Sequence, residues 1–173
     1  VATAVYQGAD AVMLSAESAV GRHPTAAVSI MDKIIRAIEA DRDENPSSFV
    51  PRSSDAPSTA DACALAASKL ADDLDCPLVV FTRSGSSAQR VSATRPRQPI
   101  HALTPSLATA RKLALIWGIS GDIEAEEPKS FDDILEAVNR HEAASTFRRF
   151  VITAGYPYAS DNSTDTIKVV ERK

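Results

Sequence analysis

Residues 77–87 read PLVVFTRSGSS, and this stretch decides the fold. The run Pro77 to Phe81 is continuously apolar and rich in β-branched side chains, which is typical of a strand buried on both faces of a parallel sheet. The hydroxyl-rich turn Thr82–Ser87 follows, and a helix is predicted from Ser86 to about Thr94. A buried strand that leads through a polar turn into a helix is the first half of a βαβ unit.

The alternation of strand and helix continues along the rest of the chain. The other predicted strands are Pro99 to Leu103, Ile119 to Ala125, Phe150 to Ala154 and Thr166 to Val170. The other predicted helices are Ser58 to about Leu74, Thr104 to Gly118 and Ser130 to about Ala144.

Each of these three helices begins at a hydroxyl residue that can cap it. Ser58 is predicted to cap the first, with Asp61 in the capping-box position. Thr104 is predicted to cap the second, with Pro105 at its first position. Ser130 is predicted to cap the third.

This order of elements predicts an α/β fold with a three-layer open sheet. The sheet is expected to have about five strands, mostly parallel, with helices on both faces. The last strand follows the fourth without an intervening helix, so it is expected to be an antiparallel edge strand.

The residues before this domain follow a different pattern. Residues 9–24 read ADAVMLSAESAVGRHP. The short apolar run Ala11–Leu14 predicts a buried strand that delivers Ser15 and Glu17 at its carboxyl end. An amphipathic helix is predicted from Pro24 to Asp41. On the residues alone, Ser15 and Glu17 also fit a simple capping role at the turn.

Composition separates these two regions and excludes several classes of protein. Residues 42–57 are rich in Pro, Ser, Asp and Arg, which predicts a linker between domains at 1–41 and 58–173.

A net charge of −4 and a pI near 5.4 argue against a general nucleic-acid binder. No run is apolar enough to span a bilayer, so no membrane partner is expected. Cys63 and Cys76 lack metal-ligand spacing and are expected to be free thiols.

The turn after the first strand of the sheet is the best candidate for a binding site. Ligands of open α/β sheets bind beyond the carboxyl ends of the strands, where three loops are expected to converge: Thr82–Ser87, Thr104–Ser106 and Ala154–Asn162. Hydroxyls, an Arg, a Gly and a helix start together form a phosphate cradle. Its candidate residues are Thr82, Arg83, Ser84, Gly85, Ser86 and Ser87. The alternative is an ordinary βα turn with Ser caps.

Several motifs resemble those of pyruvate kinases, and they recur in the family's order over nearly the whole chain. Residues 13–24 fit the pattern M-L-S-x-E-[ST]-A-x-G-x-[YH]-P. Thr82–Ser86 resembles the family's T-x-S-G-x loop, and Val151–Gly155 resembles its last central strand. Among the departures, Asp165 stands where the family usually has Asn.

The resemblance implies an architecture and an activity. Residues 1–41 would be the last βα unit of a (β/α)₈ barrel, and 58–173 a C-terminal effector and assembly domain. The parent enzyme would transfer a phosphoryl group from phosphoenolpyruvate to ADP in glycolysis, giving pyruvate and ATP. It would require Mg²⁺ and K⁺ and would be an allosteric, cytoplasmic homotetramer.

For this chain the resemblance implies narrower roles. Ser15 and Glu17 would lie in the neighbourhood of the active site, and Thr82–Ser87 would bind a phosphorylated effector. The chain is expected to be an inactive fragment without metal ligands or a cofactor of its own. The alternative is a non-catalytic regulatory module that binds a phosphorylated metabolite.

Overall fold

The structure is a computed structural model that describes residues 1–44, 57–123, 127–140, 147–156 and 164–171. The chain divides into two compact units, Val1–Arg52 and Ser53–Lys173. The predicted linker at 42–57 lies for the most part outside the described residues. The assignment of residues 1–41 to a barrel therefore stays a prediction.

The first unit contains three helices: α1 (Ala2–Tyr6), α2 (Ala16–Ala19) and α3 (Pro24–Glu44). The Tyr6 hydroxyl donates a hydrogen bond to the Asp41 carboxylate at 2.5 Å, which ties α1 to α3. The predicted helix from Pro24 to Asp41 is confirmed, but it continues to Glu44, so residues 42–44 belong to α3 and not to the predicted linker.

The predicted strand Ala11–Leu14 is wrong, because these residues form no regular structure. The Met13 side chain is 88% exposed, although the apolar run predicts burial. A strand exists only by hydrogen bonding to a neighbouring strand, and residues 1–44 contain no strand that could pair with it. The apolar pattern alone therefore does not create a strand here.

The second unit is a five-stranded sheet with helices on both faces, as the alternating pattern predicts. Its elements, in chain order, are α4 (Thr59–Leu74), β1 (Leu78–Phe81), α5 (Ser86–Ala93), β2 (Ile100–Thr104), α6 (Leu107–Leu113), β3 (Ile119–Ile123), α7 (Phe131–Arg140), β4 (Arg149–Ala154) and β5 (Thr166–Glu171). The strand order is β3-β2-β1-β4-β5. The first four strands pair in parallel. The edge strand β5 pairs antiparallel to β4, which confirms the predicted edge.

The capping box at the start of α4 is confirmed. The Ser58 hydroxyl accepts a hydrogen bond from the Asp61 amide at 3.3 Å. The Asp61 carboxylate in turn accepts one from the Ser58 amide at 2.9 Å. Two backbone N–H groups near the helix end, where the helix supplies no acceptor, are satisfied in this way.

The predicted start and end of α6 are wrong. Thr104 is the last residue of β2, where it pairs with Ile123, so its backbone belongs to the sheet and not to a helix. The cap is Ser106, whose hydroxyl accepts from the Thr109 amide at 3.2 Å. The helix ends at Leu113, and Gly118 lies in the turn before β3 with φ +70°.

The last parts of two predicted elements lie outside the described residues. The structure describes β3 as far as Ile123, whereas the prediction reached Ala125. It describes α7 as far as Arg140, whereas the prediction reached Ala144. The Ser130 hydroxyl accepts from the Asp133 amide at 3.2 Å, so the predicted cap of α7 is confirmed.

The core consists of two apolar layers, one on each face of the sheet. One layer packs α4, α5 and α6 against Leu78 and Val80 of β1. The other packs α7 against Val79 and Phe81 of the same strand. All four residues of β1 are buried, as a continuous apolar run requires of a central strand. Both cysteines are free thiols, as expected.

Candidate functional site at the carboxyl ends of the strands

The order of the strands creates a crevice at one end of the sheet. From β1 the chain passes through α5 to β2 and through α6 to β3, always away from β4. It then returns through α7, on the opposite face, to β4 on the other side of β1. The order therefore reverses between β1 and β4, which is where ligands of open α/β sheets bind.

The loop Thr82–Ser87 leaves β1 at this reversal. The Thr82 side chain is buried, and its hydroxyl accepts a hydrogen bond from the Gly85 amide at 3.0 Å. Gly85 has φ +95°, a conformation that L side chains rarely adopt. This tight turn lets α5 begin directly at the end of the strand, so the amides of its first turn lie beside the loop.

Hydroxyl groups surround the first turn of α5. The Ser84 and Ser86 hydroxyls are exposed and lie 3.2 Å apart. The Ser87 hydroxyl accepts a hydrogen bond from Thr164 at 2.6 Å, which leaves its own hydrogen available for another acceptor. The amides of the first turn of a helix have no acceptor within the helix. The Ser86 amide makes a long hydrogen bond of 3.5 Å to the Ser84 hydroxyl. The following amides of this turn and the serine hydroxyls offer donors in one place, as an anion requires.

The helix that follows the second predicted loop contacts the first loop. The Thr109 hydroxyl, in α6, donates to the Arg83 carbonyl at 2.9 Å. Thr104 is fully buried, and its hydroxyl accepts from the Ser106 amide at 3.3 Å. The start of α6 therefore positions the backbone at Arg83.

The third predicted loop is only partly described, since residues 157–163 lie outside the described residues. The Asp165 carboxylate accepts a hydrogen bond from the Tyr156 amide at 2.9 Å, and the Asp165 amide donates to the Ala154 carbonyl at 3.2 Å. Asp165 thus holds the two described ends of this loop together. With Thr164 on Ser87, the loop after β4 is joined to the start of α5.

A cavity of about 210 Å³ lies on the α7 side of the same end of the sheet. Phe81 and Leu103, near the ends of β1 and β2, form part of its wall, and Glu127 and α7 form the rest. The Arg83 guanidinium reaches toward this cavity and forms an ion pair with Glu127 at 2.8 Å. The ion pair thus links the loop to one residue of the cavity wall.

The pyruvate kinase alpha/beta domain family matches residues 61–170, from α4 to β5. The chain belongs to the pyruvate kinase family. It is 41% identical to a pyruvate kinase of Agrobacterium vitis, over 99% of this chain and 36% of that protein. It is 35% identical to a pyruvate kinase of Methylorubrum extorquens, over 98% and 36%, and 37% identical to pyruvate kinase 2 of a Synechocystis strain, over 98% and 29%. The chain thus spans about a third of the length of these relatives.

The family assignment confirms the resemblance drawn from the motifs. It also agrees with the sheet observed, which has four parallel strands and an antiparallel edge. The residues of the T-x-S-G-x motif form the turn between β1 and α5. The effector-binding role of Thr82–Ser87 stays a prediction.

In the pyruvate kinase motif of the first unit, Ser15 and Glu17 lie side by side at the start of α2. The Glu17 carboxylate accepts a hydrogen bond from the Ser15 amide at 3.1 Å. Hydrogen bonds from the amides of Glu17 itself and of Ser15 hold the pKa of this carboxyl below its usual value. Both side chains are exposed. Ser15 is the N-cap residue of α2, but its side chain makes no capping hydrogen bond, so the Glu17 carboxylate caps the turn and the Ser15 hydroxyl stays accessible.

Two further expectations concern metals and membranes. Among the described residues, no group of three or more His, Cys, Asp or Glu side chains is placed to hold a metal ion. No helix within the described part of the chain has the length and apolarity needed to cross a bilayer.

Sequence reasoning missed three residues that shape the loop of this pyruvate kinase domain: Thr109, Glu127 and Thr164. Each contacts the loop from a distant part of the chain; Thr164, for example, is 77 positions from Ser87. Local patterns carry no signal for such contacts. The sequence predicted that the loops Thr82–Ser87, Thr104–Ser106 and Ala154–Asn162 would converge, but none of these three residues lies in them.

Proposed function

We propose that this chain is the C-terminal part of a pyruvate kinase. The parent enzyme would move the phosphoryl group of phosphoenolpyruvate to a terminal oxygen of ADP, and the enolate left behind would take up a proton to give pyruvate. The family match and the names of the relatives support this proposal. Dependence on Mg²⁺ and K⁺, a place in glycolysis, a cytoplasmic location and a tetrameric assembly belong to the same proposal.

Within that reaction, Ser15 and Glu17 are assigned to the neighbourhood of the active site. Hydrogen bonds from the amides of Glu17 and Ser15 lower the pKa of the Glu17 carboxyl, and the carboxylate would act as a hydrogen-bond acceptor there. The Ser15 hydroxyl, next to it, can donate to or accept from a substrate. The hydrogen bond from the Ser15 amide to the Glu17 carboxylate would fix the backbone that carries that hydroxyl.

The chain alone is expected to be inactive, because barrel active sites draw catalytic residues from several strands. A coupled assay of pyruvate formation from phosphoenolpyruvate and ADP tests this. We expect no turnover from the purified chain. Turnover of roughly 1 to 1,000 per second, the range of ordinary enzymes, would contradict the proposal that it is only part of the catalytic unit.

The second part of the proposal is that Thr82–Ser87 binds a phosphorylated small molecule that regulates the parent enzyme. The observation that carries it is the turn at Gly85, with φ +95°, which brings the first amides of α5 and the hydroxyls of Ser84 and Ser86 together at the reversal of strand order. A phosphate has negative charge and several acceptor oxygens, so it matches this set of donors.

Calorimetry with glucose 6-phosphate, and with glucose as a control, tests this part. Ser84→Asp places a negative charge in the loop, and Ser84→Asn is the matched neutral control. Two charges 4 Å apart in water repel by about 1 kcal/mol, so a phosphate dianion should lose about 2 kcal/mol, or about thirty-fold in affinity, at low salt. No binding of glucose 6-phosphate at millimolar concentration, or equal binding by both variants, would contradict the assignment.

A further inference from the structure

The loop contains one cation, and a carboxylate of the same chain already contacts it. The Arg83 Nε donates to a Glu127 carboxylate oxygen at 2.8 Å. Arg83 belongs to the loop after β1, and Glu127 lies at the wall of the adjoining cavity, 44 residues later. The pair therefore spans from the proposed anion site to the cavity beside it.

Carboxylates and phosphates bind a guanidinium group in the same way. Both accept parallel hydrogen bonds from its planar fork of N–H donors, and phosphate does so with a larger negative charge. We propose that Glu127 is an internal competitor for the phosphate at this loop, so that a phosphorylated effector binds fully only by taking Arg83 from Glu127. This inference rests on the proposed effector role of Thr82–Ser87.

The local structure holds Glu127 in place for this role. The Asp133 carboxylate, in the first turn of α7, accepts hydrogen bonds from the Lys129 amide at 2.7 Å and from the Ser130 amide at 2.9 Å. The segment just after Glu127 is therefore fixed to the start of α7. A competitor held on a fixed segment needs little additional ordering to contact Arg83, so it stays close to the loop when no anion is bound.

The Arg83–Glu127 pair is weak enough for the phosphate of an effector to replace it. The Arg83 and Glu127 side chains are 43% and 38% exposed, so water screens their attraction. A partly exposed pair of this kind changes an equilibrium by about 1.5- to 5-fold. A phosphate dianion can displace the carboxylate, yet the carboxylate lowers the apparent affinity for phosphate.

Titration of the ¹⁵N-labelled chain with inorganic phosphate near pH 8 tests the proposal. The amide resonances of Gly85, Ser86 and Ser87 report the binding. Glu127→Gln removes the competing charge, and we expect it to raise the affinity for phosphate about 1.5- to 5-fold. Glu136→Gln removes a carboxylate that lines the same cavity, and as the matched control it should raise the affinity less.

The variant Arg83→Gln separates competition from general repulsion by the charge of Glu127. If Glu127 acts by occupying Arg83, adding Glu127→Gln to Arg83→Gln should leave the affinity for phosphate unchanged. If Glu127→Gln raised the affinity for phosphate equally in the wild-type chain and in Arg83→Gln, the proposal would be overturned. Equal phosphate affinities of the wild-type chain and Glu127→Gln would also overturn it. Those results leave the proposed effector site standing, whereas no response to phosphate in either chain would overturn both. Unfolding in urea confirms that each variant is folded.

Discussion

Replacing Gly85 by Ala tests whether the loop depends on a backbone conformation that only glycine adopts easily. Gly85 has φ +95°, and a side chain there is strained whatever space surrounds it. The added Cβ would also lie 3.3 Å from Leu113 Cδ2, closer than an ordinary contact. Leu113 is 1% exposed and packed in the core, so it has little freedom to move away.

The expected loss of stability follows from these two effects. A non-glycine residue in such a conformation costs about 1–3 kcal/mol, and crowding against a packed side chain adds to it. Gly118→Ala is the matched control, because Gly118 also has positive φ, at +70°, but its Cβ would have 3.8 Å to the nearest atom, Ile100 Cδ1. Gly118→Ala should therefore suffer the strain without the crowding, and Gly85→Ala should be the less stable of the two.

Urea unfolding followed by the fluorescence of Trp117, the single tryptophan, measures both variants. An unstrained Gly→Ala change stabilises a protein by about 0.4–1 kcal/mol, because it restricts the unfolded chain. A gain of that size in Gly85→Ala would refute the argument from backbone strain. Equal losses in the two variants would refute the argument from crowding by Leu113.

Three further predictions concern the stability of the second unit. Ile134→Ala removes a buried side chain of the α7 layer and should cost about 2–5 kcal/mol in urea unfolding, whereas Leu65→Ala, at a side chain that is 56% exposed, should cost clearly less. Ser58→Ala removes the cap of α4 and should cost about 0.5–2 kcal/mol; Thr59→Ala, on an exposed neighbour, is the control. Hydrogen bonds from the side chain and amide of Ser58 hold the pKa of Asp61 below its usual value. This stabilisation is complete above the unfolded pKa of about 3.9 and is lost as the pH falls through the lower folded-state pKa, so Asp61→Asn should flatten the pH dependence of unfolding below about pH 4.

The second unit was predictable because its strong signals are local. The run Leu78–Phe81 is apolar without interruption, and the helix before it begins with both members of a capping box. Each of these patterns is typical of one kind of secondary structure, so it can be read from the local sequence. The family motifs identified the relatives correctly, because a series of motifs in a fixed order is far more specific than any single one.

The errors arose where a longer-range interaction decides the local structure. Ala11–Leu14 has the composition of a buried strand, yet a strand needs a neighbour to pair with. Thr104 has a good capping hydroxyl, but its pairing with Ile123 extends β2 by one residue and moves the cap to Ser106. The Arg83–Glu127 pair could not be predicted from the sequence for the same reason, because only the folded structure brings these two segments together.

A crystal structure of the chain soaked with inorganic phosphate tests the central claim most directly, since the claim concerns where an anion binds. We expect the phosphate within hydrogen-bonding distance of the first amides of α5 and of the Ser84 or Ser86 hydroxyl, with the Arg83 side chain turned from Glu127 toward it. Phosphate bound elsewhere with an empty loop, or no bound phosphate at tens of millimolar, would contradict the account.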